Sequence, residues 1–373
     1  METVLIQKGR YDEDEIRPLV FEMLESLGRG LFSPGMRVLV KPNLLMAAGP
    51  EEGIVTHPLV VRAVVSYLLA REVRVQLSDS PAVGPFARVL RRTGYTAALE
   101  GLDVEVRPFE KTRSVDVGPP FGRIEVAADA VDADAVVNLA KVKTHTQMLL
   151  TLGVKNLFGC VVGLAKPQWH LRCGIDRDQF ARLLVAVYRT VAPCLTLVDG
   201  IIALEGQGPG RGGTPRPLGI VAAGRSAPAV DAVLCRLLGL DPTQLATHRA
   251  AEEGGLLPPE IRVRGDFHVV DDFVLPRMAP ATFGPPAVSR FMRRHVLQKP
   301  VVDTVRCRQC GQCEKYCPAG AIAEAPRGVR FDYERCIRCY CCVEICPHGA
   351  LQTLEPLAGR LLHRLSNLRA RRD

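Results

Sequence analysis

Short, mainly apolar runs alternate with longer amphipathic segments along the first 265 residues of the chain. Short apolar runs are typical of buried strands, and apolar positions recurring every three to four residues are typical of helices. The strand-like runs lie at residues 3–6, 38–40, 73–77, 135–139, 195–198 and 219–222. The helical patterns cover residues 13–27, 58–70, 180–191 and 229–238. This alternation predicts an α/β body with a mostly parallel sheet and flanking helices.

Composition changes twice after this body. Residues 266–300 are rich in proline and show no clear periodicity, which predicts a linker. Nine of the 13 cysteines follow within residues 301–373. We therefore predict a body over 1–265, a linker over 266–300, a small cysteine-rich domain over 301–357 and a tail over 358–373. Leucines at helical spacing among arginines predict a basic amphipathic helix in the tail, packed on the protein.

The composition excludes several classes of protein. The chain is 47% apolar but has no clean apolar stretch of about 18–20 residues, so we expect no membrane span. No signal sequence is visible at the N-terminus, which predicts a cytoplasmic protein. An odd number of cysteines then favours metal or redox chemistry over disulfides. The net charge of +8 comes mostly from scattered arginines, and aromatic residues make up only 5%, so we expect no nucleic-acid partner.

The cysteine-rich region contains an internal repeat. The segments CRQCGQCEKYCP at 307–318 and CIRCYCCVEICP at 336–347 both follow the pattern C-x2-C-x2-C-x3-C-P. This pattern resembles that of bacterial-type ferredoxins with two [4Fe–4S] clusters, whose domains are small and of α+β type. A zinc ribbon would need two pairs of cysteines rather than two quartets.

In such ferredoxins the fourth cysteine of each run binds the cluster of the other run. The resemblance therefore implies two [4Fe–4S] clusters with interleaved ligands. The first set is Cys307, Cys310, Cys313 and Cys346, and the second is Cys336, Cys339, Cys342 and Cys317. Cys341 is a ninth thiol in this region, and we expect a packed free cysteine, with ligand exchange as the alternative.

Polar residues follow four of the predicted strands of the body. In open α/β sheets, ligands bind outside the carboxyl ends of the strands, so these residues predict a shared pocket. Only nine of the 48 basic residues are lysines, and four of those lie between Lys141 and Lys166. We predict that an anionic substrate is bound by Lys41, Asn43, Asp79, Lys141, Lys155, Asn156, Asp199 and Glu205. We predict catalytic roles for Lys143 and His145, with His145 as proton donor.

A glycine-rich stretch at 206–213 contains the pattern G-x-G-x-x-G. A strand rather than a helix follows it, so we do not expect it to bind a dinucleotide. It predicts either a loop that closes over the pocket with Arg211 facing an anion, or a surface hairpin. Cys160 and Cys173 flank Lys166 and His170, and a reactive thiol or a core residue remains open for both.

Four separated segments of the body resemble an uncharacterised family, catalogued as domain of unknown function 362 and often fused to a ferredoxin-like module. They are VKPNL at 40–44, AKVKTHTQMLLTLGVKNLFG at 140–159, DGIIALEGQGP at 199–209 and APAVDAVLCRLLGLDP at 227–242. The resemblance covers most of residues 1–260. It implies no particular reaction and assigns no residue a role.

Together these features predict an iron–sulfur redox enzyme. Its clusters would relay electrons between a soluble donor or acceptor protein and a small anionic substrate in the body. Two alternatives remain open. One is an electron carrier or adaptor whose body only recognises a partner protein, and the other is a non-redox enzyme whose ferredoxin module is structural or senses oxygen.

Overall fold

The computed structural model describes residues 1–163, 165–174, 176–278 and 296–358. The strands of the body are β1 (Glu2–Lys8), β2 (Arg37–Lys41), β3 (Arg74–Leu77), β4 (Val104–Val106), β5 (Thr112–Asp116), β6 (Arg123–Ala127), β7 (Ala135–His145), β8 (Leu149–Thr151), β9 (Leu195–Gly206), β10 (Gly213–Gly224) and β11 (Ile261–Gly265). Its helices are α1 (Glu13–Gly28), α2 (Pro58–Leu69), α3 (Phe86–Thr93), α4 (Tyr95–Ala98), α5 (Ala128–Asp132), α6 (Gly153–Asn156), α7 (Ala165–Cys173), α8 (Arg177–Val191), α9 (Ala227–Leu237) and α10 (Ala246–Glu253).

One mixed sheet organises the body. Its strand order is β11-β1-β10-β9-β7-β2-β3-β4, and β8 pairs with β7 beside this path. The four neighbours β9, β7, β2 and β3 run parallel to one another, whereas β10 is antiparallel to both β1 and β9. The predicted α/β class with a mostly parallel sheet is confirmed.

The two helices that cover the start of the sheet begin at capped positions. The Asp12 side chain accepts hydrogen bonds from the backbone N–H groups of Asp14 and Glu15 at the start of α1. His57 caps α2, and Pro58 occupies its first turn, where a missing N–H costs nothing. The apolar faces of α1 and α2 pack on the buried residues of β2 and β3 in one core cluster.

Three strands, β7, β9 and β10, are much longer than the sequence predicts. β7 continues beyond Leu139 to His145, so Lys141 and Lys143 lie on the strand instead of after it. The extension is stabilised by pairing with β8 on one side and with β9 on the other. A continuous strand therefore places these polar side chains deep in the protein.

The C-terminal region consists of two small antiparallel strand pairs and two short helices. Its elements are β12 (Lys299–Val302), α11 (Gln312–Lys315), β13 (Ile322–Ala325), β14 (Gly328–Phe331), α12 (Cys341–Ile345) and β15 (Leu351–Leu354). β12 pairs with β15, and β13 pairs with β14. The predicted small α+β ferredoxin-like fold is confirmed.

Parts of the predicted linker and tail lie outside the described residues. Residues 266–278 run along the body, where the Val270 N–H donates to the Leu237 carbonyl at 2.7 Å. Residues 279–295 of the linker and 359–373 of the tail, including its predicted helix, are not among those described. Across the described ranges, every helix is too short or too polar to cross a membrane.

Candidate functional site

The carboxyl ends of β2, β3, β7 and β9 meet at one edge of the sheet, because these strands are parallel neighbours. In this register Lys41 lies opposite Asn138, and Lys141 lies opposite Asp199. The predicted polar residues are thereby brought to the same side of the body. Between this edge and helix α12 lies a cavity of about 810 Å³, part of it open to solvent.

We call this space the lysine cavity, after the four lysines that line it: Lys41, Lys143, Lys155 and Lys166. Asp79 and His170 also line it from the body. The opposite wall comes from the C-terminal region, through Tyr316, Cys341 and Glu344. Four lysines and two carboxylates line the cavity. When all four lysines are protonated and both carboxylates are ionised, the cavity has an excess of positive charge that suits an anion.

Two of the lysines are held rigidly. The Lys41 ammonium lies 2.9 Å from Asp79 and donates to the Pro42 carbonyl at 2.7 Å. Gly159 makes room for this pair, since a Cβ there would lie 2.5 Å from the Lys41 Nζ. Lys143 donates to the Asn43 side chain and to the Ile54 carbonyl, both at 2.8 Å. Burial lowers the pKa of Lys143 to about 7, so this ammonium loses its proton near neutral pH.

The other two lysines have fewer partners. The Lys155 side chain has no hydrogen bond or ion pair with any residue in the described part of the chain. Burial lowers its pKa, although the charge of Glu344 opposes the shift. Lys166 donates to the Ser80 carbonyl, and burial lowers its pKa to about 8. Both side chains are half-buried and neither forms an ion pair with a described residue, so each has room to contact a bound anion.

Two histidines lie near Glu344. The His145 Nδ1 accepts hydrogen bonds from the backbone N–H groups of Gln147 and Met148, so a neutral ring carries its proton on Nε2. That Nε2 lies 3.6 Å from Glu344 and behind the cavity wall. His170 lines the cavity, and its buried Nδ1 has no hydrogen-bond partner among the described residues. Burial lowers the pKa of His145 to about 4 and that of His170 to about 3, so both rings are neutral at neutral pH.

Lys141 and Asp199 are not part of the lysine cavity. They form a fully buried ion pair at 2.8 Å, and the Lys141 ammonium also donates to the Tyr11 hydroxyl at 2.7 Å. Tyr11 in turn stacks on His57, with 3.6 Å between ring centroids. The structure therefore places these two predicted substrate-binding residues in a closed network, where each satisfies the other.

Removing the carboxylate from this pair is expected to destabilise the body. The variant Asp199→Ala leaves Lys141 buried without its counter-ion, and we expect the free energy of unfolding to fall by about 3–5 kcal/mol. Chemical denaturation followed by circular dichroism measures this loss. The control is Asp178→Ala, which removes an exposed ion pair with Arg249 and should cost below about 1 kcal/mol. Equal losses for the two variants would contradict this assignment.

Of the three remaining predicted site residues, two line the lysine cavity and one contacts the linker segment instead. Asn43 and Asn156 line the cavity and are bonded to each other at 2.8 Å. Glu205 does not line it; its carboxylate accepts the Val274 N–H at 3.1 Å and so fixes the start of the linker.

The glycine-rich stretch joins β9 to β10 and packs against the C-terminal region. A Cβ on Gly208 would lie 2.4 Å from the Thr144 carbonyl oxygen, and one on Gly210 would lie 2.6 Å from the Glu344 carbonyl oxygen. Both positions therefore require glycine. Pro209 lines the lysine cavity, whereas Arg211 forms an ion pair with Glu52. Arg211 thus does not face the anion site that the sequence suggested.

The eight motif cysteines surround two further cavities, of about 350 and 330 Å³. The first is lined by Cys307, Cys310, Cys313 and Cys346, and the second by Cys317, Cys336, Cys339 and Cys342. Each quartet combines three cysteines of one motif with the fourth of the other. Within the described ranges no group of His, Cys, Asp or Glu side chains converges closely enough to hold a single metal ion. The thiols instead stand around a space, as the ligands of a cluster do.

Backbone groups around the cysteines also suit thiolate ligands. The Ala321 N–H donates to Cys317 Sγ at 3.2 Å, and the Ala350 N–H donates to Cys346 Sγ at 3.3 Å. These two contacts are equivalent in the repeat. Hydrogen bonds to ligand sulfurs stabilise their negative charge and tune cluster potentials. The residues present therefore fit two [4Fe–4S] clusters.

The two body cysteines of uncertain role are buried among apolar residues. Burial raises the pKa of the Cys160 thiol to about 12 and that of Cys173 to about 11. Both belong to the core cluster that includes Trp169 and Phe180. High pKa values disfavour the thiolate, which favours the interpretation as core residues.

Sequence reasoning missed part of the cavity wall. Lys166 and His170 lie on α7, after the strands that carry the other site residues. The scarcity of lysine marked Lys166, but no periodic pattern tied it to the pocket. Tyr316, Cys341 and Glu344 come from the C-terminal region, and their position depends on how that region packs on the body.

Comparisons with known proteins agree with the two-part organisation. A family model described as "Domain of unknown function (DUF362)" matches residues 38–236, and one described as "4Fe-4S dicluster domain" matches residues 299–350. A thylakoid-associated protein of Synechocystis sp. is 37% identical over 299 residues, which cover 78% of this chain and 93% of that protein. The predicted fusion of these two families is confirmed.

One solved structure shows a weak likeness to the chain. It is the lactate racemase apoprotein from Thermoanaerobacterium thermosaccharolyticum, with a TM-score of 0.35 and 15% sequence identity. The match covers 52% of this chain and about half, 50%, of that one.

Proposed function

The chain belongs to the family described as domain of unknown function (DUF362), and from that premise we propose that it is a redox enzyme acting on a small anion in the lysine cavity. One observation carries the proposal. The helix that closes the cavity, α12, also contains or adjoins cysteines of the predicted cluster sites. Cys341 lines the lysine cavity, and its neighbours Cys339 and Cys342 line the second cysteine cavity.

We infer that Cys307, Cys310, Cys313 and Cys346 hold one [4Fe–4S] cluster and that Cys336, Cys339, Cys342 and Cys317 hold another. When bound, such a cluster exchanges one electron at a time. The chain's own contribution is to hold the anion next to the second cysteine quartet.

The lysines of the cavity have different roles in binding the anion. Lys155 has no other partner among the described residues, so its ammonium is available for direct contact with an anion. Lys41 is fixed by Asp79, whose carboxylate offsets its charge. Small carboxylates and phosphates match this set of point charges. The excess positive charge favours a substrate with one or two negative charges.

Lys143 is the best-placed proton donor. Two of its three N–H groups are used by Asn43 and Ile54, which leaves one for the cavity. A pKa of about 7 lets it give up a proton near neutral pH and take it back. His145, the donor suggested by the sequence, has its free nitrogen directed at Glu344 instead.

Anion binding is expected to weaken as the pH rises. Free Lys143 and Lys166 lose protons near pH 7 and 8, and a bound anion raises both pKa values. Affinity is therefore complete below about pH 6 and falls through each free pKa, by up to about tenfold per pH unit for each lysine. Calorimetry with sulfate, whose charge is constant over this range, measures the effect. An affinity that is the same at pH 6 and pH 9 would rule out these lysines as the binding groups.

Product analysis tests the proposed function. The iron-loaded protein is incubated anaerobically with a chemical reductant and a panel of small carboxylates and phosphates, and products are identified by mass spectrometry. We expect one anion to be converted to a product that differs by electrons and protons, and only with iron-loaded protein. Conversion that continues with oxidised clusters or with iron-free protein would contradict the proposal.

A further inference from the structure

A second large groove lies on the outside of the first cysteine quartet. It has a volume of about 1460 Å³, including its open side, and runs between α3 and the C-terminal region. Exposed Cys310 lines it, together with Pro347 and His348, which directly follow Cys346. Cys310 and Cys346 both belong to the first cysteine cavity. The groove therefore gives access from solvent to the first predicted cluster.

The charged side chains that line this groove are all positive. Arg88, Arg91 and Arg92 line it from one face of α3, at the i, i+3 and i+4 spacing that brings helical side chains together. All three are exposed, and none of their side chains has a hydrogen bond or ion pair within the described part of the chain. Arg211 also lines the groove but is neutralised by Glu52. No aspartate or glutamate is among the described residues of the lining.

The side chains of these arginines do not pack helix α3 against the body. Helix α3 is anchored by its opposite face, where Val89 and Thr93 are fully buried. Three neighbouring guanidinium groups repel one another, and the described residues supply no carboxylate to offset the repulsion. Such an arrangement suits a surface whose counter-charges belong to another molecule.

We propose that this groove is the docking surface of a small acidic one-electron carrier protein. The inference rests on the proposed function only in requiring that the clusters carry electrons. On docking, the carrier's own cofactor is oxidised by one electron and the first cluster is reduced by one, and no bond forms or breaks. Electrons would enter beside Cys310 and be used beside Cys341.

A protein fits this surface better than a nucleic acid or a small anion. The arginines are spread along an exposed helix face rather than converging in a closed pocket. The described lining contains no Phe, Tyr or Trp on which bases could stack. Weak, salt-sensitive docking through exposed charges is typical of electron-transfer encounters, because it permits rapid exchange of partners.

The test compares two variants of equal charge. Arg88→Gln with Arg92→Gln neutralises the groove, and Arg262→Gln with Arg264→Gln neutralises exposed arginines on β11, at the other edge of the sheet. The probe is a [2Fe–2S] ferredoxin of net negative charge, added to the iron-loaded protein without any substrate. Its dissociation constant is measured by calorimetry over a series of salt concentrations, and cluster reduction is followed by stopped-flow absorbance.

We expect the groove variant to bind the probe about tenfold more weakly at low salt and to lose most of the salt dependence. The control variant should match the original protein, and the iron content should be equal in all three. An unchanged dissociation constant, an equal loss in the control, or tighter binding of a short DNA duplex than of the probe would overturn the proposal. Loss of iron from the groove variant would assign the effect to the clusters and would also overturn it. Since no candidate substrate is added, failure of the proposed substrate chemistry cannot alter these results.

Discussion

Replacing Lys155 with methionine is expected to slow oxidation of the reduced protein by its anionic substrate about 100-fold, which corresponds to the loss of one charge-assisted contact of about 2–3 kcal/mol. Methionine keeps most of the volume and removes the one cavity lysine that has no partner in the described structure. The rate is measured by stopped-flow absorbance of the clusters. Reduction of the clusters by dithionite should not change, because Lys155 is not a cluster ligand.

The stability of this variant gives a second, independent readout. The Lys155 side chain is half-buried and makes no hydrogen bond or ion pair with a described residue, so Lys155→Met should unfold at about the same denaturant concentration as the original protein. Lys111→Met, at an exposed position of the body, is the matched control and should change neither rate nor stability. A slow Lys155→Met variant that is also destabilised would indicate a structural role and would contradict the assignment.

Replacing Cys317 with serine is expected to remove one cluster, although this cysteine belongs to the first motif. In the interleaved arrangement it completes the quartet of Cys336, Cys339 and Cys342, with which it lines one cavity. Iron should fall from about eight to about four atoms per chain, with a matching loss of sulfide. The small core of this region depends on its ligands, so the midpoint of thermal unfolding of the C-terminal region should also fall.

The neighbouring thiol supplies the control for this experiment. Cys341→Ser changes a cysteine that lines the lysine cavity and neither cysteine quartet, so it should retain all of the iron. Loss of iron in Cys341→Ser, or full retention in Cys317→Ser, would contradict the proposed ligand sets. Iron and acid-labile sulfide analysis of the purified proteins distinguishes these outcomes.

The sequence predicted the fold well because its strongest signals are local. Strand and helix patterns of the body, such as those around β2 and α2, depend on the spacing of apolar residues, and all of the elements predicted for the body are present. The repeat of cysteines likewise identified the dicluster family, since chain geometry around a cluster imposes short and regular spacings.

The candidate site was less predictable because it depends on contacts between distant residues. Lys141 and Lys143 are two residues apart on β7, yet one is neutralised by Asp199 and the other faces the cavity. The register of β7 with β9 determines which lysine is paired with Asp199. That register cannot be predicted from the spacing of residues along β7 alone. The contribution of Glu344 requires the packing of the C-terminal region against the body, which no single motif encodes.

The central claim is that an anion in the lysine cavity exchanges electrons with clusters in the adjoining region. It is tested most directly by mixing the anaerobically reduced protein with small carboxylates and phosphates and following cluster absorbance in a stopped-flow instrument. We expect at least one anion to reoxidise the clusters at a rate that saturates with its concentration, and each electron lost by the clusters to be recovered in product. Clusters that stay reduced with every anion would contradict the claim and would favour an electron carrier or adaptor without substrate chemistry of its own.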